Sequence, residues 1–172
     1  MKPKILFILH LPPPIHGAAM MGKYIQESEL VNSSFDCFCI NLATAGSLSD
    51  IGHISLKKLL KYFFLLKHIS HVVREIRPEL VYITPNAGGK AFFKDFIVVQ
   101  MLKSMGCKVI AHYHNKGVSV YQSKWVYNFF YKRFFSNLKV ILLAENLYKD
   151  IAKYVKREDV YICPNGIPNL RK

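Results

Sequence analysis

The sequence predicts an α/β fold, a doubly wound and mostly parallel sheet of about six strands. Three observations carry this expectation. Short aliphatic and β-branched runs alternate with longer stretches of helical period, the pattern of successive β–α units. The chain has 172 residues, 51% of them hydrophobic. That is enough for a single domain with a full core, and it excludes disorder, collagen-like repeats and a disulfide-stapled miniprotein. No uninterrupted apolar stretch approaches the roughly 20 residues of a membrane span.

The first strand is expected at residues 4–10. The start Met1-Lys2-Pro3-Lys4, followed by Ile5-Leu6-Phe7-Ile8-Leu9, has the charge and apolarity of a secretion signal, but Pro12-Pro13-Pro14 cuts the run at strand length. Further strands are expected at 35–42, 80–84, 108–114, 139–145 and 160–164, and helices at 17–29, 55–77, 91–105, 122–136 and 146–155. The helix at 55–77 is the clearest. Leu56, Leu59, Leu60 and Phe63, then Ile69, Val72, Val73 and Ile76, are spaced as an apolar face, and Pro78 stops the helix. Residues 43–52 are linker-like, and no internal repeat or boundary divides the chain. Residues 1–172 therefore read as one Rossmann-like domain.

Lys and Arg number 24 against 11 Asp and Glu, a net charge of +13. Such an excess points to an anionic partner, whether nucleic acid, a phosphorylated ligand or the inner face of a membrane, or else serves solubility alone. Cys37, Cys39, Cys107 and Cys163 have the spacing of neither a zinc site nor a redox dithiol. A reducing cytosol is the simplest setting.

In such a sheet, ligands collect at the carboxyl ends of the strands. After the first strand, Pro12-Pro13-Pro14-Ile15-His16-Gly17-Ala18-Ala19 ends in small residues where a helix begins. Small residues there let an anion approach the helix N-terminus, or allow close helix–strand packing. The G-x-G-x-x-G fingerprint of dinucleotide sites is absent. After the third strand, Thr84-Pro85-Asn86-Ala87-Gly88-Gly89-Lys90 opens a helix with glycines and a lysine but fails the P-loop pattern. It is either a nest of N–H groups for a phosphate or sugar, or a plain turn.

After the fourth strand, His112 and His114 share one face and Tyr113 the other, with Asn115 following. Imidazole can act as a base, bond a hydroxyl or bind metal, and its pKa lies near physiological pH. No carboxylate or cysteine stands nearby at ligand spacing, so no metal is expected. Glu145, after the fifth strand, is either a helix-dipole partner or a hydroxyl ligand.

Together these segments resemble the N-terminal half of a GT-B glycosyltransferase of family 4. The likeness covers the whole chain: the Pro-rich loop with Gly17-Ala18, a strand ending His112-Tyr113-His114-Asn115, a strand ending Leu143-Ala144-Glu145, and the terminal Val160-Tyr161-Ile162-Cys163-Pro164-Asn165-Gly166-Ile167. The last is the most specific, since in that family a V-x-V-I-P-N-G-[IV] segment marks the crossing to the second domain. The chain departs from the family at Ala144, where a serine is usual, and at Asn115, where glycine or alanine is common.

The resemblance implies a retaining transfer of sugar from a nucleotide-sugar, without metal or other cofactor, to a glycan or lipid-linked acceptor in polysaccharide synthesis. It implies that this half holds the acceptor, and that the donor-binding C-terminal domain lies beyond Lys172, so the 172 residues alone are expected to be inactive. Gly17 and Ala18 would lie near the donor phosphates, His114 would be the catalytic residue over the transferred sugar, and Asn165 and Gly166 would form the hinge. His16, Asn86, Gly88, Gly89, Lys90, His112, Asn115 and Glu145 are the remaining candidates for substrate contact.

The charge also suits a cytoplasmic protein lying peripherally on the inner membrane face. The helix at 55–77 carries Lys57, Lys58, Lys61, Lys67, Arg74 and Arg77 beside Tyr62-Phe63-Phe64-Leu65-Leu66, and residues 129–135 mix aromatic and basic side chains similarly. Packing in the core is the competing explanation for both. Two other classes stay open: a stand-alone phosphosugar- or nucleotide-binding module, and a nucleic-acid binder. The latter is not expected, because no recognition-helix, RRM or OB pattern is present.

Overall fold

The computed structural model describes residues 1–42 and 56–166; the linker expected at 43–52 lies outside them. The chain runs β1 (Lys4–Leu9), α1 (Gly17–Gln26), α2 (Glu29–Ser34), β2 (Asp36–Asn41), α3 (Leu56–Ile76), β3 (Leu80–Ile83), α4 (Gly89–Ser104) and β4 (Val109–Tyr113). It continues through α5 (Val118–Tyr121), α6 (Trp125–Phe135), β5 (Lys139–Leu142), a 3-10 turn (Glu145–Leu147), α7 (Tyr148–Ile151), a second 3-10 turn (Arg157–Asp159) and β6 (Val160–Ile162).

All six strands are parallel, in the order β2-β1-β3-β4-β5-β6. The order reverses between β1 and β3, and the crevice outside their carboxyl ends is where such sheets bind ligands. Both faces are covered in part, which makes the sheet doubly wound. Leu6, Ile8, Val81, Ile83, Ala111, Tyr113, Val140 and Leu142 belong to the larger core, with Ile69 and Val73 of α3, Phe92, Val98 and Leu102 of α4, and Tyr131 and Phe134 of α6. On the opposite face Ile5, Phe7 and Leu9 pack against Ile25 and Val31.

Every expected strand is present, but all six stop one to three residues short of the expected carboxyl end. The residues left over, among them His10, Thr84, His114 and Glu145, belong to the loops at the crevice or, for Glu145, to a turn. The expected helix at 17–29 is two helices. Ser28 breaks it by turning its hydroxyl onto the Val31 N–H at 3.3 Å and capping α2. The segment expected as a helix at 146–155 yields a 3-10 turn and one turn of α7. α6 starts at Trp125, and Lys103 of α4 closes its end by donating to the Phe134 and Ser136 carbonyls at 2.7 and 2.6 Å.

The apolar face of α3 needs correction. Ile69 and Val73 are buried, whereas Leu56, Leu59, Leu60 and Phe63 are exposed. The six-residue step from Phe63 to Ile69 is about one and two-thirds helical turns, so the two runs lie on opposite sides. In the segment 129–135, Tyr131, Phe134 and Phe135 are core residues, and Phe130 packs edge-on to Phe93 and Phe96. Only Phe129 of its aromatics is exposed, with Arg133 over its ring at 4.9 Å.

Candidate functional site

The site is built on the carboxyl ends of β1, β3 and β4. At the end of β1, the His10 N–H donates to the Thr84 hydroxyl at 3.3 Å, tying β1 to the loop after β3 across the switch point. α1 then packs directly on this end, because a Cβ on Gly22 would stand 2.2 Å from the His10 carbonyl oxygen. His16 caps α1: its Nδ1 accepts the Ala19 N–H at 3.3 Å. An accepting Nδ1 leaves the ring proton on Nε2. Nothing lies within 4 Å of a Cβ built on Gly17, so the helix N-terminus beside Gly17 and Ala18 is open.

The loop after β3 is held from three sides. The Asn86 N–H and its Nδ2 both donate to Oδ2 of the fully buried Asp95, each at 2.8 Å, and Lys94 Nζ reaches Asp95 Oδ1 at 2.6 Å. The Ala87 N–H donates to Asn115 Oδ1 at 3.2 Å, and the Tyr131 hydroxyl donates to the Ala87 carbonyl at 2.6 Å. Gly88 sits under the Tyr121 ring, which a Cβ would meet at 2.3 Å, and Gly89 has φ +68°. Asn86 and Asn115 thus hold the loop itself, while Lys90 is exposed at its rim.

His112 of β4 and His114, just past its end, stand side by side with ring centroids 4.3 Å apart. His112 Nδ1 pairs with the Tyr82 hydroxyl, and His114 Nδ1 lies 3.1 Å from Asn165 Oδ1. The Nε2 atoms of His10, His112 and His114 are buried without a hydrogen-bond partner among the described residues. Burial pulls the pKa of His10 down to about 4, with Asp95 opposing and Lys94, His16 and His114 adding to the shift. Burial and then His114 pull that of His112 down to about 3. Burial also lowers that of His114, against the bond to Asn165. At neutral pH the cluster is three uncharged imidazoles, able to bond hydroxyls without repelling a cation or holding an anion by charge.

The loop after β4 is fixed by Asp150, which accepts the N–H groups of Gly117, Val118 and Ser119 at 2.8, 3.0 and 3.0 Å and the Ser119 hydroxyl. Burial works to raise the Asp150 pKa, but these donors together hold it below the usual carboxylate value. Glu145 is elsewhere. Its carboxylate pairs with Arg157 Nε and Nη2 at 2.8 and 2.7 Å on the exposed surface, and that bond lowers its pKa.

The structure therefore brings His16, Gly17, His112, His114 and Asn165 to one edge, with Asn86, Asn115 and the two glycines bracing it. Reading the sequence missed His10, Tyr82, Asp95 and Asp150. His10 ends an apolar strand at the switch point, and Asp95 is the lone acid between Glu79 and Glu145; both are signals visible in the sequence. Among the described residues no group of three His, Cys, Asp or Glu side chains could hold a metal ion. The chain matches no family model, no curated protein and no solved structure.

Proposed function

We propose that this chain is the acceptor-binding half of a retaining, metal-independent glycosyltransferase that moves a sugar from a nucleotide-sugar to a glycan or lipid-linked acceptor. The observation that carries the reading is His114. It stands at the carboxyl end of a central parallel strand, its pKa is lowered by burial, and its Nδ1 is held by Asn165 while its Nε2 has no partner among the described residues. An amide oxygen can only accept, so Nδ1 carries the proton and Nε2 presents a lone pair. Such a group can take a hydrogen bond from a sugar hydroxyl and steady it during transfer.

The open N-terminus of α1 at Gly17 and Ala18 supports the same reading, since free N–H groups and the helix dipole favour a donor's phosphates. In this reading a second α/β half would hold the nucleotide, and Asn165 and Gly166 would lead into it. The test is turnover of the full-length enzyme with His114→Ala. Turnover should fall by a factor on the order of 100 with an unchanged melting temperature. Wild-type turnover would remove His114 from the chemistry.

A further inference from the structure

α3 has two long faces. Tyr62, Leu65, Leu66, Ile69, Val73 and Ile76 belong to the larger core. On the other side Leu56, Leu59, Leu60, Phe63 and Phe64 are each more than half exposed, and no other described element leaves five large apolar side chains in solvent. At 3.6 residues per turn, those five fill an arc of about 140°, and Lys67, His71 and Arg74 continue along the middle of it. Lys67 Nζ lies 4.6 Å from the centre of the Phe63 ring. Lys61 and His68 are exposed along one flank, and Glu75, in the last turn, is the only acid in the helix. A contiguous apolar patch of this kind marks a contact surface.

From this face we infer that α3 docks on an anionic lipid bilayer, lying in the headgroup layer with Leu56, Leu59, Leu60, Phe63 and Phe64 inserted and Lys61, Lys67 and Arg74 against lipid phosphates. Charge selects this occupant. Leucine and phenylalanine backed by cations on one helix face fit the boundary between acyl chains and anionic headgroups, and the whole chain carries +13. A second copy seated on the same face would bring two cationic stripes together. No helix among the described residues is long and apolar enough to cross a membrane, so the contact lies along the surface.

The core side of α3 is tied to the loop that carries the crevice. The Tyr62 hydroxyl, in the second turn of α3, donates to the Lys94 carbonyl at 2.6 Å, and Lys94 holds the Asp95 that fixes Asn86. The bilayer would thus lie beside the mouth of the site. This inference does not rest on the sugar-transfer reading.

The experiment is flotation of the 172-residue chain with vesicles of phosphatidylcholine alone and of phosphatidylcholine mixed with phosphatidylglycerol, at low salt. The chain should float with the mixed vesicles and stay down with the neutral ones. Phe63→Ser with Phe64→Ser should cut binding at least about tenfold, and Lys61→Ala with Lys67→Ala on the order of 25-fold, at roughly fivefold per cation. No flotation, or flotation that the Phe63→Ser/Phe64→Ser chain retains, overturns the proposal. So does a fall in melting temperature of that variant, which would mean the face is covered within the molecule. Self-association of the wild type that the variant loses would assign the face to a second copy instead and also overturns it.

Discussion

His114 and Asn165, one at the end of β4 and the other beyond β6, meet across the intervening β5 with Nδ1 and Oδ1 3.1 Å apart. The segment after the edge strand thus turns back over the sheet to fix the tautomer of a central histidine.

That bond favours the charged imidazole, against burial. Asn165→Ala should therefore move the His114 titration to lower pH, and Asn165→Asp, which places a carboxylate there, should move it up. Ring-proton NMR of the intact chain reads both shifts. An unchanged midpoint in both variants would mean the contact is not made in solution.

Acid should unfold the protein earlier than its carboxylates alone require. His10 and His112 titrate near 6.5 when unfolded but at about 4 and about 3 when folded. Below pH 6.5 the unfolded chain binds protons that the folded chain refuses, so their contribution is complete above that pH and lost as pH falls toward 4 and 3. Each group adds about 1.4 kcal/mol per pH unit inside its window. Urea midpoints between pH 8 and pH 5 should fall accordingly, and His10→Phe should make the slope shallower. A flat profile counts against buried neutral histidines.

Gly22→Ala sets two effects against each other. Alanine is the better helix former by about 1 kcal/mol, but its Cβ would stand 2.2 Å from the His10 carbonyl oxygen, a backbone atom of a central strand. Moving α1 off β1 costs about 1–3 kcal/mol or more, so the variant should melt lower and shift the His10 resonances. A variant as stable as the wild type would show that α1 can slide without cost.

Asp150→Ala should destabilise the protein by on the order of 3 kcal/mol, because three N–H groups and one hydroxyl lose their acceptor. Asp150→Asn keeps one acceptor oxygen and should lose less. Equal losses in a urea titration would mean that the carboxylate acts through its charge and not through its bonds.

The sheet was legible because each strand is a short apolar run bounded by glycine, proline or polar residues, and Leu80 to Ile83 shows this in four residues. Its carboxyl ends were overestimated, since His10 and Thr84 extend the strand composition, but the His10 N–H leaves the ladder for the Thr84 hydroxyl. The face of α3 was misread because a list of apolar positions does not record that the stripe changes sides between Phe63 and Ile69. Residues 129–135 look alike on paper, yet Phe130 finds Phe93 and Phe96 while Phe129 does not. At the site, His112 and His114 were visible as an alternating pair at a strand end. Asp150 was not, because it acts on backbone groups 31 to 33 residues earlier in the chain.

The position of β1 sets the order in which the chain can be assembled. Ile5 pairs with Cys37 on one side and Leu80 on the other, so of the strands with two neighbours β1 waits longest in sequence for its second. At 5–20 residues per second, a ribosome takes roughly 4–15 s to pass from residue 10 to residue 83. For that time Leu6 and Ile8, both wholly buried in the finished sheet, have no partner strand on the β3 side. An exposed apolar strand of this kind would be open to a holding chaperone during that interval, and synonymous codons that slow translation before Leu80 would lengthen its exposure.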